Sequence, residues 1–374
     1  MVEVRFKSGG GTILARTLAL IERGADEGLH IGSQLYVSRR GKPVADLALG
    51  ESRPGVSMAN DSLMLWLSSG KPIAAAAMLQ LRDRQLCDLD EPVQRYLPEF
   101  GANGKQAVNI RHLLTHTGGF RWVDTGWPQT NWDQIIARIC AAKLERGWVP
   151  GQRAGYHPYT SWYILGELVR RLDGRSFPSY VREEIFEPLG MLDSWIGMPA
   201  ERFRQYGSRI GQMQNTERAG HAPHQWSSEA GILHCAPGGN AHGPIRELGY
   251  FYEMLAKGGQ RQGVRVLQHS SVEEMISPQR TGMFDETFQH VIDWGLGLIL
   301  DSKQYDDESL PYGYGPYSSP RTYGHSGSQS SVGFVDPESE LVAAIVFNGT
   351  PGEARHQARI RAILSALYED LRLA

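Results

Sequence analysis

The stretch Leu65-Trp66-Leu67-Ser68-Ser69-Gly70-Lys71-Pro72-Ile73 places a serine and a lysine three residues apart, just before an alanine-rich segment. Three residues are about one helical turn, so a helix that begins here brings the ammonium group of Lys71 beside the hydroxyl of Ser68. A serine hydroxyl is a weak nucleophile that needs an adjacent base, and a lysine is a suitable base when burial lowers its pKa. This spacing is common by chance, and taken alone it favours an ordinary polar helix start.

Two longer stretches of sequence follow Ser68 and Lys71 and indicate which protein family the pair belongs to. Residues 86–93 read L-C-D-L-D-E-P-V and are followed by Tyr96-Leu97-Pro98, and residues 110–120 read I-R-H-L-L-T-H-T-G-G-F. This order resembles the serine β-lactamase-like superfamily, which contains class C β-lactamases, penicillin-binding proteins, D-aminopeptidases and family VIII-type carboxylesterases. The two stretches carry no catalytic task in that superfamily, so chance convergence is a poor explanation for them.

The resemblance implies a second motif, Tyr-x-Asn or Tyr-x-Ser, that follows a Pro-Gly pair. Here Pro150-Gly151 leads to Tyr156-His157-Pro158, which puts Tyr156 where the family has its tyrosine. Counted back from Gly166, however, the segment contains one extra residue. Tyr159 therefore stays open as the alternative to Tyr156.

The third motif of the family is Lys, His or Trp followed by x-Gly, on a strand beside the nucleophile. The segment Tyr323-Gly324-His325-Ser326-Gly327-Ser328 matches it and precedes a strand-like run. A glycine at 327 has a physical reason, because the backbone must approach the substrate with no Cβ in between. His325, Ser326 and Gly327 are the predicted substrate-binding residues.

The resemblance also implies a role for each residue. Ser68 attacks a carbonyl carbon, Lys71 and Tyr156 share the removal of its proton, and Tyr156 protonates the leaving group. The backbone N–H groups of Ser68 and Ser328 form the oxyanion hole, and such donors contribute about 3 kcal/mol each to transition-state stabilisation. No cofactor and no metal are expected, because neither the cysteines nor the His112–His116 pair has the ligand set of a metal site.

The pattern along the chain predicts an α+β fold. Its centre is an antiparallel sheet that is built from both termini and flanked by the N- and C-terminal helices, and an all-helical lobe is inserted in it. We predict the sheet domain over residues 1–75 and 205–374, the helical lobe over residues 76–204, and the active site between them.

Individual elements follow from apolar periodicity and from Gly and Pro punctuation. At the start and end of the chain the sequence predicts a helix over Gly11–Gly28, a hairpin over Gly32–Gly50, strands at Ser331–Val335 and Leu341–Phe347, and a helix over Glu353–Leu373. Between them it predicts helices over Lys71–Gln85, Asn109–Thr115, Trp132–Leu144, Thr160–Leu172, Phe177–Phe186 and Ile245–Ala256, and a strand around Trp294–Leu300.

Composition narrows the function further. The 38 basic and 41 acidic residues give a net charge of −3, and we find no basic stripe of the kind that binds nucleic acid. The longest apolar runs are too short to span a bilayer, and Met1–Gly11 lacks an apolar export segment. Three cysteines without metal-type spacing fit reduced thiols. We therefore expect a cytoplasmic protein without nucleic-acid or membrane partners, and the oligomeric state stays open.

Two departures from the family pattern bear on the substrate. His157-Pro158 offers no amide like that of the family's Asn, and His325 replaces the lysine that binds the β-lactam carboxylate. Both argue against an efficient β-lactamase and favour a carboxylesterase that acts on a small ester. The alternatives are an acyltransferase of specialised metabolism, a hydrolase of D-amino-acid peptides or amides, a weak β-lactamase, and a non-catalytic binding relative. Trp122, Trp127 and Trp132 are expected in the core or at the site mouth, with the core as the default.

Overall fold

The computed structural model of the protein describes residues 13–217, 222–306 and 308–374. The segment Met1–Gly11, for which the sequence predicts no export signal, and the first residues of the predicted helix Gly11–Gly28 lie outside the described residues. The helices of the described part are α1 Ala15–Asp26, α2 Lys71–Asp83, α3 Ile110–Leu114, α4 Trp132–Ala141, α5 Thr160–Asp173, α6 Phe177–Val181, α7 Ala200–Tyr206, α8 Glu229–Leu233, α9 Ile245–Ala256, α10 His269–Ile276 and α11 Glu353–Asp370.

The strands are mostly short, and the long ones lie near the two ends of the chain. In the described residues they are β1 Gly32–Arg39, β2 Lys42–Arg53, β3 Val56–Ser57, β4 Met64–Leu65, β5 Trp195–Ile196, β6 Gln214–Asn215, β7 Ala222–Pro223, β8 Ala241–Gly243, β9 Gln260–Arg261, β10 Val264–Arg265, β11 Phe284–Asp285, β12 His290–Val291, β13 Ile299–Leu300, β14 Tyr323–Gly327, β15 Ser331–Asp336, β16 Leu341–Phe347 and β17 Gly349–Thr350.

One sheet of seven strands carries the fold, in the order β13-β14-β15-β16-β1-β2-β3 with antiparallel neighbours throughout. The first strand, β1, pairs along its length with β16, with Leu35 opposite Ile345 and Tyr36 opposite Ala344. Because side chains alternate along a strand, Leu35 and Ile345 face one side of the sheet and the other pair faces the opposite side. The two ends of the chain therefore close a single sheet.

Helices cover both faces of this sheet. The terminal helices α1 and α11 pack on the face that carries Leu35 and Ile345, and Thr17 Oγ1 donates a hydrogen bond of 2.8 Å to Asp370 Oδ2 between these two helices. On the other face, α9 and the alanine-rich α2 are part of a second hydrophobic core that includes Tyr36. The alanines of α2 allow it to lie close to its neighbours, so its first turn is held firmly.

The predicted α+β class is confirmed, with about 37% helix and 20% strand. The prediction of a strand over Trp294–Leu300 is wrong for most of its length, because only Ile299 and Leu300 pair with β14. Gly297 has φ +72°, in the left-handed region that turns the chain away from a strand. The domain boundaries at residues 75 and 205 stay predictions.

The predicted helix over Phe177–Phe186 is α-helical only as far as Val181. From Arg182 to Phe186 the hydrogen bonding widens to that of a π-helix. Helix α4 ends at Ala141, three residues before the predicted end at Leu144. Within the described residues, the structure contains no helix with the length and apolar character needed to traverse a bilayer.

Candidate active site

Ser68 lies on a tight turn that leads directly into α2. The turn, Leu67–Gly70, is a 3-10 helix, and Ser68 is partly exposed while its neighbours Leu67 and Ser69 are buried. Leu67 has φ +50°, a left-handed conformation that is strained for a residue with a Cβ. The Ser331 hydroxyl of β15 donates to the carbonyl of Trp66 and lies 2.8 Å from Ser69 Oγ. The sheet therefore holds the turn in its strained form.

Lys71 is the first residue of α2 and is fully buried. Its Nζ lies 2.8 Å from Ser68 Oγ and 2.9 Å from the carbonyl oxygen of Pro158, and it also contacts the carbonyl oxygen of Gly238. Burial lowers the pKa of Lys71 well below its usual value. The positive end of the helix dipole acts in the same direction, because Lys71 is at the N-terminus of α2.

The three contacts of Lys71 fit an uncharged amine. An ammonium group has three N–H donors, whereas a neutral amine has two donors and one lone pair. If the carbonyls of Pro158 and Gly238 take the two donors of a neutral amine, its lone pair remains for the hydroxyl of Ser68, whose oxygen lies 2.8 Å away. In this arrangement the amine can accept the serine proton.

Tyr156 contacts Ser68 from another direction, and its hydroxyl donates a hydrogen bond of 2.8 Å to Ser68 Oγ. Burial raises the pKa of Tyr156, which keeps the phenol protonated. Its backbone N–H donates to Asp285 Oδ1 at 3.0 Å, and its ring packs on Phe288 with the ring centres 4.7 Å apart. Tyr156 is therefore a fixed hydroxyl donor next to the serine.

Tyr159, the alternative to Tyr156, takes another position. It lines the cavity above Ser68 with 39% of its surface exposed, and its ring lies next to Gly239. Of the two tyrosines, the structure brings Tyr156 to Ser68 and leaves Tyr159 at the cavity mouth.

Two buried histidines fix the segment that carries Tyr156. His116 Nδ1 accepts a hydrogen bond of 2.9 Å from the backbone N–H of His157. In return, His157 Nε2 accepts from the backbone N–H groups of Gly119 and Phe120 at 3.2 and 3.3 Å. Burial lowers the pKa of His157 to about 4 and that of His116 well below its usual value. Both rings are therefore neutral acceptors, and each one binds the backbone of the other's segment.

The end of β14 lies against the nucleophile turn. A Cβ on Gly327 would come within 2.5 Å of the Trp66 carbonyl oxygen, so this close approach requires glycine. Ser326 and Ser328 line the same cavity as Ser68. The structure thus brings the predicted third motif to the predicted nucleophile.

His325 is buried on the wall of this cavity, with its ring centre 6.1 Å from that of Tyr156. Its Nδ1 lies 2.8 Å from the carbonyl oxygen of Ser326, so Nδ1 carries the proton and Nε2 is an acceptor. Burial lowers the pKa of His325 to about 3. A neutral ring is a poor partner for a substrate carboxylate, so His325 can contribute to substrate binding as a hydrogen-bond acceptor.

The cavity above Ser68 has a volume of about 630 Å³. It is lined by aromatic and small polar side chains, with one carboxylate: Ser68, Trp122, Tyr156, Pro158, Tyr159, Trp226, Thr287, Phe288, Ile299, Pro311, Tyr312, His325, Ser326, Ser328, Glu353, Ala354 and Gln357. The expected core location is wrong for Trp122, which is 66% exposed at the mouth of the cavity. Trp127 and Trp132 are partly buried and pack against the core.

Comparison with known proteins agrees with this geometry. The profile of the family described as Beta-lactamase matches residues 18–368. The chain belongs to this Beta-lactamase family. The resemblance read from the motifs is thereby confirmed.

Individual members of the Beta-lactamase family show its breadth. The chain is 27% identical to the esterase/beta-lactamase LipL of Mycobacterium tuberculosis over 348 residues, 85% of this chain and 77% of that protein. It is 30% identical to penicillin-binding protein 4 of Amycolatopsis lactamdurans over 305 residues, 79% and 74% of the two chains. The crystal structure of a family VIII carboxylesterase superposes with a TM-score of 0.79 at 26% identity, covering 97% of this chain and 100% of that one. These relatives identify the chain as one of the serine-hydrolase type.

Sequence reasoning missed several parts of this Beta-lactamase-family site. The backbone carbonyls of Pro158 and Gly238 contact the lysine, and no side-chain motif predicts either contact. Gly238 belongs to a glycine-rich run over residues 238–243, and glycines of this kind are a signal of close backbone approach that could have pointed to this contact. His116, in the stretch with no expected catalytic task, positions the Tyr156 segment.

Proposed function

We propose that the chain is a serine carboxylesterase with Ser68 as nucleophile, Lys71 as base and Tyr156 as proton donor. The observation that carries this proposal is that Ser68 Oγ lies 2.8 Å from both Lys71 Nζ and the Tyr156 hydroxyl, in a site where burial lowers the pKa of Lys71. A serine hydroxyl between a neutral amine and a phenol has both the acceptor and the donor that acyl transfer needs.

In the first step, Ser68 Oγ forms a bond to the ester carbonyl carbon while its proton moves to Lys71. The carbonyl oxygen becomes an oxyanion, which the backbone N–H groups of Ser68 and Ser328 stabilise in this proposal. The C–O bond to the alcohol then breaks, and the departing alkoxide takes a proton from Tyr156, which is re-protonated from Lys71. The products are the alcohol and an acyl-Ser68 ester.

In the second step, water attacks the acyl-Ser68 carbonyl and gives its proton to the neutral Lys71, while Tyr156 keeps its own proton. Collapse of the oxyanion breaks the bond to Ser68 Oγ, which recovers a proton from the same pair. The acid leaves and the starting protonation state is restored, so no oxidant, metal or further reactant is required.

An ester is preferred over a β-lactam because of the charge of the cavity. The described residues that line it include no lysine or arginine, and Glu353 and the neutral His325 do not attract a substrate carboxylate. The family VIII enzyme is named a carboxylesterase, which supports the same choice, whereas LipL is named both esterase and beta-lactamase.

The test is a fluorophosphonate probe, whose phosphorus bonds to a reactive serine as fluoride leaves. Intact-mass measurement should show one adduct on the wild-type chain and none on Ser68→Ala, with hydrolysis of p-nitrophenyl butyrate lost in parallel. Ser69→Ala is the matched control, because Ser69 contacts Ser331 and not Lys71, and it should keep the adduct. Turnover by Ser68→Ala above a trace would refute the assignment.

Acyl transfer is a second candidate, favoured by the aromatic cavity walls, which suit an organic acceptor better than water. An added alcohol should then accelerate consumption of the ester and yield the new ester as product. If the rate and the products do not change with alcohol, the chain acts as a hydrolase only.

The cytoplasm is the compartment we propose. Cys87, Cys140 and Cys235 form no disulfide with one another, which supports a reducing environment. Fractionation of the native host with an antibody against the chain tests this, and recovery outside the cytoplasm would overturn it.

A further inference from the structure

The active-site cavity has an unbalanced charge. Among its described lining residues, Glu353 carries the only carboxylate, and no lysine or arginine accompanies it. The described part of the chain also contains no ion pair to Glu353; its oxygens accept from the hydroxyl of Tyr312 at 2.8 and 2.7 Å. A neutral phenol leaves the negative charge uncompensated, so the cavity attracts cations.

Tyr312 fixes this carboxylate relative to the reacting atoms. Its backbone has φ +58°, and its N–H donates to Gln357 Oε1 at 3.0 Å. The side chain of Ser328, the predicted oxyanion-hole residue, is a neighbour of this hydroxyl and lines the same cavity. Glu353 is thus linked through one side chain to the place where the ester carbonyl would lie.

The remaining walls are unusually aromatic. The cavity is lined by the rings of Trp122, Tyr159, Trp226, Phe288 and Tyr312, and Phe288 packs between Tyr156 and Tyr312 at 4.7 and 5.7 Å. Aromatic faces attract ammonium groups, more strongly when the group is desolvated. Rings and one carboxylate together form the kind of environment that holds an alkylammonium group.

A third observation is independent of the first two. His325 is 1% exposed and lines the cavity, and its Nε2 is buried with no hydrogen-bond partner in the described structure. Because Nδ1 holds the proton, this orphaned atom is an acceptor. A buried acceptor costs free energy until a donor reaches it, so it calls for an N–H or O–H of the ligand.

We propose that the natural substrates are esters that carry a protonated amine, held by Glu353 and the aromatic walls. The inference rests on the proposed esterase function, whose nucleophile is Ser68. It adds a substrate class that the three catalytic residues do not specify.

Matched substrate pairs test the inference at both ends of the ester. The alcohol end is probed with acetylcholine and 3,3-dimethylbutyl acetate, which differ by one positive charge at nearly equal shape. The acyl end is probed with the p-nitrophenyl esters of 6-aminohexanoate and heptanoate. For at least one pair, kcat/KM should be about fivefold higher for the cation, the size expected of a partly exposed charge pair. A ratio below twofold in both pairs overturns the inference.

A charge-neutral variant identifies the origin of the preference. Glu353→Gln should lower the cation-to-neutral ratio towards one, with the aromatic walls accounting for what remains, while Glu338→Gln, which removes the same charge from an exposed site outside the cavity, should leave the ratio as in the wild type. An unchanged ratio in Glu353→Gln overturns the proposal. Failure of the esterase assignment is distinguishable, because it would appear as hydrolysis that survives Ser68→Ala.

Discussion

Lys71 and Lys105 are both fully buried, and each Nζ contacts three oxygen atoms. For Lys105 all three are carbonyl oxygens, of Ala102, Cys140 and Ala142. For Lys71 one of the three is the hydroxyl of Ser68, which can donate as well as accept. Burial lowers the pKa of both amines, and that of Lys71 by more.

The position of each lysine relative to a helix end also separates the pKa of Lys71 from that of Lys105. Lys105 lies at the C-terminus of α4, where the carbonyls and the negative end of the dipole favour an ammonium group. Lys71 lies at the N-terminus of α2, where the dipole opposes it. Burial alone therefore does not make a lysine a base; the hydroxyl contact and the helix end decide it.

The largest effect on activity is expected from Lys71→Met, which removes the amine that we propose as the base. With no amine to accept the Ser68 proton, kcat/KM for a p-nitrophenyl ester should fall by about 10³-fold or more. Steady-state kinetics measure this, and circular dichroism checks that the variant is folded. A loss under tenfold would show that another group is the base.

Lys105→Met should instead cost stability. Three buried carbonyl oxygens lose their donor, so the free energy of unfolding should fall by about 3 kcal/mol, while kcat per folded molecule should stay unchanged. Urea denaturation gives the first quantity and active-site titration the second. Equal activity losses in Lys71→Met and Lys105→Met would remove the distinction between the two lysines.

Tyr156→Phe removes the other contact of Ser68 and should lower kcat by about 10²-fold, because the leaving group loses its proton donor. Tyr159→Phe is the matched control, since Tyr159 lies at the cavity mouth, and its effect on kcat should stay within a fewfold. The reverse result would move the motif to Tyr159.

The pH dependence of kcat/KM tests whether Lys71 acts as an uncharged base. Below the pKa of Lys71 the amine is protonated and cannot accept, so the rate should fall about tenfold per pH unit there and reach a plateau above that pKa, which lies below the usual lysine value. Burial lowers the pKa of His157 to about 4, that of His325 to about 3 and that of His116 well below its usual value, so these histidines should add no second step near pH 6.5. A step there would assign a charged histidine to the mechanism.

The smallest expected effect concerns the histidine pair. His116→Phe keeps the ring but loses the acceptor for the His157 N–H, so kcat should fall about tenfold with little change in KM. His116→Asn keeps an oxygen at the Nδ1 position and tolerates the φ of +60° found there, so it should restore most of the rate. Equal loss in both variants would indicate a role in packing only.

Sequence patterns identified the parts of the fold and site that depend on side-chain type. The Ser68–Lys71 pair, the glycine at 327 and the apolar strands at both chain ends all have such a signature. The carbonyls of Pro158 and Gly238 have none, because every residue carries a backbone oxygen and only the fold decides where it points. The strained φ of Leu67 and the tautomers of His116 and His157 likewise follow from long-range contacts.

The pairing of β1 with β16 has a consequence for how the chain folds during its synthesis. Ser33 in β1 pairs with Phe347 in β16, so this central strand pair cannot form until β16 has been synthesised. The turn before Ser68 is held by Ser331 and Gly327, which are also made late. The nascent chain therefore carries its serine and lysine for most of translation without an assembled site. Chains that terminate before β15 should therefore lack the assembled Ser68 site.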